Sequence, residues 1–235
     1  MKKTNELFEK YNLSNEDIIY LEEIINPIIN NEHFKERLTY LHHSDITLGE
    51  HIIEDAIVTY LLSKKYLKRH KKTNYRVDLA VKIAMLHDLY SIPWQNNKEA
   101  KVNHFFSKHG FRHPLEAAIN SLTWFPEIFN ESDKEIIIDG IIHHMYPLPV
   151  RYLNDQKIDK IELKNMDNYN KLSNEDKNII IKSSQRKKVG VISLSKSLYK
   201  EGKIMSKADK KVSRKQIKNI SSAKALVTGH NKKIK

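Results

Sequence analysis

Histidines dominate the residues of this chain that could do chemistry. Eleven of the twelve fall within the first 144 of 235 residues, and cysteine is absent. They recur at His51, at the pair His87-Asp88, at His109 and His113, and at the pair His143-His144, each next to or within a segment with helical patterning. Imidazoles with an adjacent carboxylate and no thiolate suit a metal site built from nitrogen and oxygen ligands. The lack of Cys excludes a disulfide framework, zinc–thiolate fingers and thiol nucleophiles.

The sharpest pair sits in RVDLAVKIAMLHDLY, residues 76–90. Three, four and seven places before His87 stand Ala84, Ile83 and Ala80; the same steps from Asp88 reach Met85, Ala84 and Val81. On a helix both side chains project from an apolar face, where an unpartnered polar group costs about 2–7 kcal/mol. A cation satisfies both, and the carboxylate can bridge two cations; a His-Asp hydrogen bond inside the core is the plainer alternative. In EIIIDGIIHHM, residues 135–145, His144 shares a face with Ile137 and Ile141, whereas His143 lies below Asp139. His144 is the inward candidate and His143 a supporting or surface residue. His51 lies near Asp55, Val58 and Leu62, off the centre of its apolar stripe, so its helix alone leaves its role open. His113 takes the cap position before Pro114, where Ser, Thr, Asp or Asn would serve better, and the mismatch points to another duty.

These residues need helices to carry them, and the longer segments all show helical periodicity. Ser14 caps a first helix whose apolar series runs to a kink or stop at Pro27. Further helices are expected over 48–69 and 75–90, from Pro114 to Pro126, and from a capping box at Ser132–Glu135 to about Met145. Residues 150–172 are polar and aperiodic, as in an insertion loop. Another helix follows from Ser173 through Ile181, and a last core helix covers 189–198. The fold class expected is all-α: a single-domain helical bundle over 1–202, with a basic C-terminal tail over 203–235.

Charge is unevenly spread along this chain. Residues 182–235 hold 17 Lys/Arg and 2 acidic residues, a net of +15; the remaining 24 Lys/Arg and 27 acids of residues 1–181 give −3. The basic segment can contact polyanions, nucleic acid included, by releasing counterions; a solvated helix and frayed tail is the competing account. No run of 18 apolar residues exists and MKKTNELFEKYN lacks a signal peptide's apolar stretch, so a cytoplasmic protein without membrane contact is expected. No P-loop, dinucleotide glycine motif or RNA-binding phrase is present.

The order of His51, His87-Asp88, His113 and His144 resembles the HD-domain metal-dependent phosphohydrolase superfamily. More narrowly, LHHSDITLGEH, AMLHDLY, and HGFRHPLEAA followed by IIHHMYPL resemble a bacterial group of HD-domain proteins, over residues 38–150 with an echo near 185–200. The resemblance implies an HD-type bundle in which His51, His87 and Asp88 hold one divalent ion, Asp88 bridges, and His113 and His144 complete a second site. Fe, Mn, Co, Ni, Mg or Zn would each satisfy such donors. It further implies hydrolysis of a small phosphorylated substrate, plausibly a nucleotide, with His87 and Asp88 in the catalytic centre. His109 is then a supporting donor or substrate contact, and Arg112, Lys108 or the C-terminal lysines are phosphate contacts. His42 and His43 belong to the same phrase and are expected to be structural; Tyr90, Trp94 and Tyr146 line a cleft or the core.

The chain departs from the family's pattern twice. The family closes its first site with an aspartate in a phrase like SLADK; matching it to Ser193-Leu-Ser-Lys196-Ser puts Lys196 in the ligand's place. Glu54 stands where a basic residue often follows the first histidine. Together they favour a degenerate binding or regulatory module as the alternative to an enzyme.

Overall fold

α4 (Leu48–Arg69) is the helix around which the others are assembled. Its first residues set its start firmly: Thr47 Oγ1 accepts from the Glu50 amide, and the Glu50 carboxylate accepts from the Thr47 amide, so two otherwise orphaned donors are satisfied reciprocally. From His51 to Tyr60 every residue is buried, and most are apolar, as befits a helix surrounded by protein. The polar residues buried with them are His51, Glu54, Asp55 and Thr59.

The computed structural model describes residues 2–43, 46–92, 109–147, 168–184 and 196–227, excepting the side chains of 2, 43, 109 and 219–227. The chain is all-α apart from a small antiparallel ribbon, β1 (Leu41–His43) with β2 (Ile46–Thr47). Before it come α1 (Lys2–Lys10), α2 (Asn15–Ile29) and α3 (Glu32–Arg37). After α4 follow α5 (Val77–Leu86), α6 (His109–Trp124), α7 (Glu131–Ile142), α8 (Asn174–Ser184) and α9 (Lys200–Val227). α5 packs on α4, α7 packs on α5, and α9 lies across all three. One apolar core joins α1 to α7, with Ile180 of α8 and Met205 of α9 added to it. No helix among the described residues is long and apolar enough to cross a membrane.

Several boundaries differ from the periodicity. Ser14 does cap α2, but the helix continues two residues past Pro27. α5 ends at Leu86, so His87 and Asp88 follow the helix rather than extend it. α6 opens at His109 and carries Pro114 inside it, which removes His113 from the cap position. α7 starts at Glu131 with Asn130 as its cap and no side-chain cap bond; the expected box at Ser132 is not used. The expected insertion (apart from residues 168–172), residues 189–195 of the helix expected over 189–198, Trp94 and Lys108 lie outside the described residues, and residues 196–198 are not helical.

The largest difference is at the C-terminal end. The boundary expected at residue 202 falls inside α9, whose Met205, Ala208 and Val212 are buried. Among the described residues of α9, Lys207, Lys211, Arg214, Lys215 and Lys218 are exposed, whereas Lys203 and Lys210 are half-buried. The Glu201 carboxylate accepts from the Arg76 amide at the start of α5, an acid at a helix N-terminus. Gly202 crosses α7 at Gly140 so closely that a Cβ there would lie 2.7 Å from the Gly140 Cα and against the Ser197 hydroxyl. Replacing Gly202 by Ala should therefore destabilise the protein by about 1–3 kcal/mol through overpacking. In thermal melts that is a fall of roughly 2–4 °C per kcal/mol; an unchanged Tm would contradict the close crossing.

Candidate metal centre

His87 and Asp88 leave α5 at a point where its last carbonyls need new partners. Three side chains bind carbonyls here, one at the end of the helix and two in the turn beyond it. Ser121 of α6 donates to the Leu86 carbonyl (3.3 Å), Asn120 to that of Leu89 (2.7 Å), and the buried Arg37 of α3 to that of Tyr90 through Nη2 (2.7 Å). Arg37 is itself stacked on Trp124, its guanidinium 4.4 Å from the ring centroid. The His87-Asp88 turn is thus tied down from both sides.

Four elements bring their side chains to this turn. Nε2 of His51 lies 3.1 Å from Asp55 Oδ2, 3.9 Å from Asp88 Oδ2 and 3.8 Å from Asp209 Oδ1. Nε2 of His87 lies 3.5 Å from Asp55 Oδ2 and 3.7 Å from Asp88 Oδ2. On the other oxygen of Asp88, Oδ1, His113 Nε2 stands at 3.2 Å and His144 Nε2 at 3.5 Å, and the two rings approach to 2.9 Å. The groups form sets with metal-ligand spacing: His51, Asp55, His87 and Asp209 in one, His87, Asp88 and His144 in another. Adjacent ligands on one ion, each about 2.1 Å from it, are about 3 Å apart, close to the separations seen. The fit has a second sign. Both oxygens of Asp55 and Nε2 of His87 are buried with no hydrogen-bond partner, and a cation between them would satisfy all three.

The rings are aimed by their other nitrogens. Nδ1 of His87 donates to the Ala84 carbonyl and Nδ1 of His144 to that of Ile141, both at 2.7 Å. A carbonyl only accepts, so each Nδ1 holds the proton and each Nε2 presents its lone pair to the centre. Nδ1 of His51 meets Gln216 Oε1 at 3.1 Å, and the Gln216 amide donates to Glu54 at 3.0 Å. Glu54 also accepts from Lys10 (2.7 Å) and Tyr11 (2.6 Å). The residue expected to replace a phosphate-binding cation therefore belongs to a chain of hydrogen bonds that orients His51.

Electrostatics agree with a cation-binding site. Burial pushes the Asp55 carboxyl well above its usual range, and the nearby Asp209, Asp88 and Glu54 charges add to the shift. Burial also works against the Asp88 carboxylate, but the imidazoles of His87, His113 and His144 outweigh it and hold it well below the usual range. Burial lowers His144 strongly, helped by His87 and His113, and lowers His51 against the pull of Asp88 and Asp209. Both shifts favour the neutral imidazole, the form a metal requires.

Of the residues expected from sequence, His51, His87, Asp88, His113 and His144 come together. His143 turns away, its Nε2 donating to the Ser183 carbonyl at 2.9 Å. Arg112 is next to His113 on α6 and partly exposed; His109 opens that helix, with its side chain outside the described ones. His42 stacks on His51 (centroids 4.4 Å apart) and falls within ligand distance of His51 and Asp88, closer to the chemistry than a structural role implied. Tyr90 is buried, 6.4 Å from the His113 ring. Lys196 is not in the centre: it is exposed, its ammonium 5.5 Å from the Tyr146 ring. The aspartate comes instead from Ser206-Lys-Ala-Asp209-Lys210, a phrase one residue away from SLADK that the basic surroundings obscured. Asp55, one turn beyond His51, was the other omission.

Two outcomes follow from this arrangement. Gln216→Ala should weaken metal affinity about 10–100-fold, as loss of a ligand-orienting partner does, measured by competition with a chromogenic chelator; unchanged affinity would remove Gln216 from the site. Asp55→Asn should act with opposite signs in the two states. Without metal it removes a carboxyl whose buried charge is penalised increasingly as pH rises through its raised pKa, so the metal-free Tm rises at neutral pH. With metal it removes a ligand, so affinity falls, and so does the steep gain in wild-type affinity with rising pH that comes from displacing the Asp55 proton. A variant that loses stability in the metal-free state would contradict this. No family model, curated protein or solved structure matches the chain, leaving the buried His/Asp cluster itself as the starting point for function.

Proposed function

We propose that this chain is an HD-type metal-dependent phosphohydrolase acting on a small phosphorylated compound, plausibly a nucleotide. One observation carries the proposal: the two oxygens of Asp88 face two different groups of imidazoles, His51 and His87 on one, His113 and His144 on the other. A carboxylate so placed is suited to bridge two cations. Around the first, two imidazoles with Asp55, Asp88 and Asp209 offer more donors than tetrahedral zinc takes, which favours six-coordinate Fe, Mn or Co.

When bound, such ions would lower the pKa of a water to about 7 and neutralise charge on a phosphoryl oxygen. The chain's own residues do the rest. Asp88 stays ionised and holds the two halves of the centre in fixed relation. The carbonyls of Ala84 and Ile141 keep His87 and His144 in the tautomer that points Nε2 inward. Arg112, beside His113, is assigned as a phosphate contact. Two observations favour this reading over a binding-only module: Asp209 offers a carboxylate beside His51 where Lys196 does not, and Glu54 bonds Gln216, which meets His51.

Metal-loaded protein should release phosphate from at least one member of a panel of nucleotides and phosphomonoesters. Asp88→Asn should reduce the rate by at least about 100-fold while the circular dichroism spectrum is retained. Absence of release across the panel with Fe(II), Mn(II) and Co(II) each supplied, or activity unaffected in Asp88→Asn, would refute the hydrolase assignment.

A further inference from the structure

Between α9 and the end of α4 lies a cavity of about 520 Å³. Cations reach it from three separate stretches of chain: Lys65 and Arg69 from the end of α4, Lys196 from the segment before α9, and Lys200, Lys203, Lys207 and Lys210 from α9 itself. No Asp or Glu is among the described residues lining it. The two acids on this part of α9 point elsewhere, Glu201 to the start of α5 and Asp209 to the metal centre. A row of lysines on one helix is ordinary solvated surface. Convergence of cations from three elements onto one concavity is different, because it concentrates positive potential in a recess where an anion can be held.

The wall also holds these cations in place. Lys200 sits 4.9 Å from the Tyr66 ring centroid, and Lys196 and Lys210 sit 5.5 and 5.2 Å from that of Tyr146. Leu62, Ile204 and the tyrosine rings give the concavity an apolar side. Its volume falls in the range of small-molecule sites, about 300–1,000 Å³. A nucleic acid would ask for an open track rather than cations closing from several directions.

We propose that this cavity is a second ligand site, distinct from the metal centre, that binds a compact polyphosphate chain, either free or carried by a nucleotide. No metal-centre ligand lines it. Three lining residues adjoin the centre: Ser206 donates to the His144 carbonyl (2.5 Å), His143 precedes His144, and Lys210 follows Asp209. The site does not depend on hydrolysis, and its test is run without metal.

Full-length protein in EDTA is titrated calorimetrically with inorganic triphosphate, ATP and AMP, and with a single-stranded 20-nucleotide RNA. Triphosphate and ATP should bind one per chain and compete, with AMP at least about tenfold weaker. Lys65→Glu/Arg69→Glu, and separately Lys207→Glu, should each lose at least about tenfold in affinity, with Tm and metal content unchanged. Lys215→Glu/Lys218→Glu, whose cations lie on α9 outside the cavity, should bind as the wild type does. Competition by triphosphate but not ATP identifies a free chain as the ligand; competition by both admits the nucleotide. The proposal is overturned if neither probe binds, if the control variant loses as much as the cavity variants, or if RNA binds and triphosphate fails to displace it.

Discussion

Three carboxylates and four imidazoles are packed into the apolar interior of this bundle, and the rest of the structure accommodates that fact. Asp55, Asp88 and Asp209 stand within a few ångströms of the same histidines, and water does not reach Asp55 at all. Burying an ionised carboxylate costs far more than burying a neutral polar group unless a cation or a full set of hydrogen bonds compensates. Here the hydrogen bonds are missing at Asp55 and at Nε2 of His87, although nearly all comparable buried atoms elsewhere are satisfied. The centre is thus unfavourable as bare protein and favourable around a cation, the usual relation between a binding site and the stability that it lowers.

The surrounding architecture aims side chains more than it adds stability. The turn after α5 is held by Ser121 at the Leu86 carbonyl, the last of the helix, and by Asn120 and Arg37 at the carbonyls of Leu89 and Tyr90 beyond it. Asp139 of α7 accepts from the Ser197 hydroxyl and the Leu198 amide, fixing the chain where it enters α9. α9 then delivers three groups in succession: Ser206 to the His144 carbonyl, Asp209 to the centre, and Gln216 to His51. A helix whose mean composition is basic supplies the carboxylate and the orienting amide that the site needs.

Much of this was legible in the residues. The apolar neighbours of His87 and Asp88 identified them as buried, and the step between His143 and His144 separated the ring that faces the centre from the equally buried one that turns to the Ser183 carbonyl. Asp55 escaped notice because one carboxylate on a helix resembles any surface acid until the helix is known to be enclosed on all sides. Asp209 was hidden by its surroundings. Lysines around SKADK make α9 look solvated, and its inward stripe of Met205, Ala208 and Val212 is thin enough to be masked by charge. Gln216 could not have been found by pattern at all, because its role depends on a contact with His51 across 165 residues of sequence. Helix ends were misjudged where tertiary partners, rather than caps, satisfy the terminal carbonyls.

The central claim is that these buried groups converge on cations. Elemental analysis of untagged protein, purified without chelator and reconstituted anaerobically with Fe(II), Mn(II) or Co(II), tests it most directly. The account predicts about two tightly held ions per chain, with at most a small fraction of that in Asp88→Asn. Wild-type protein that retains no metal after dialysis, while folding normally, would contradict it.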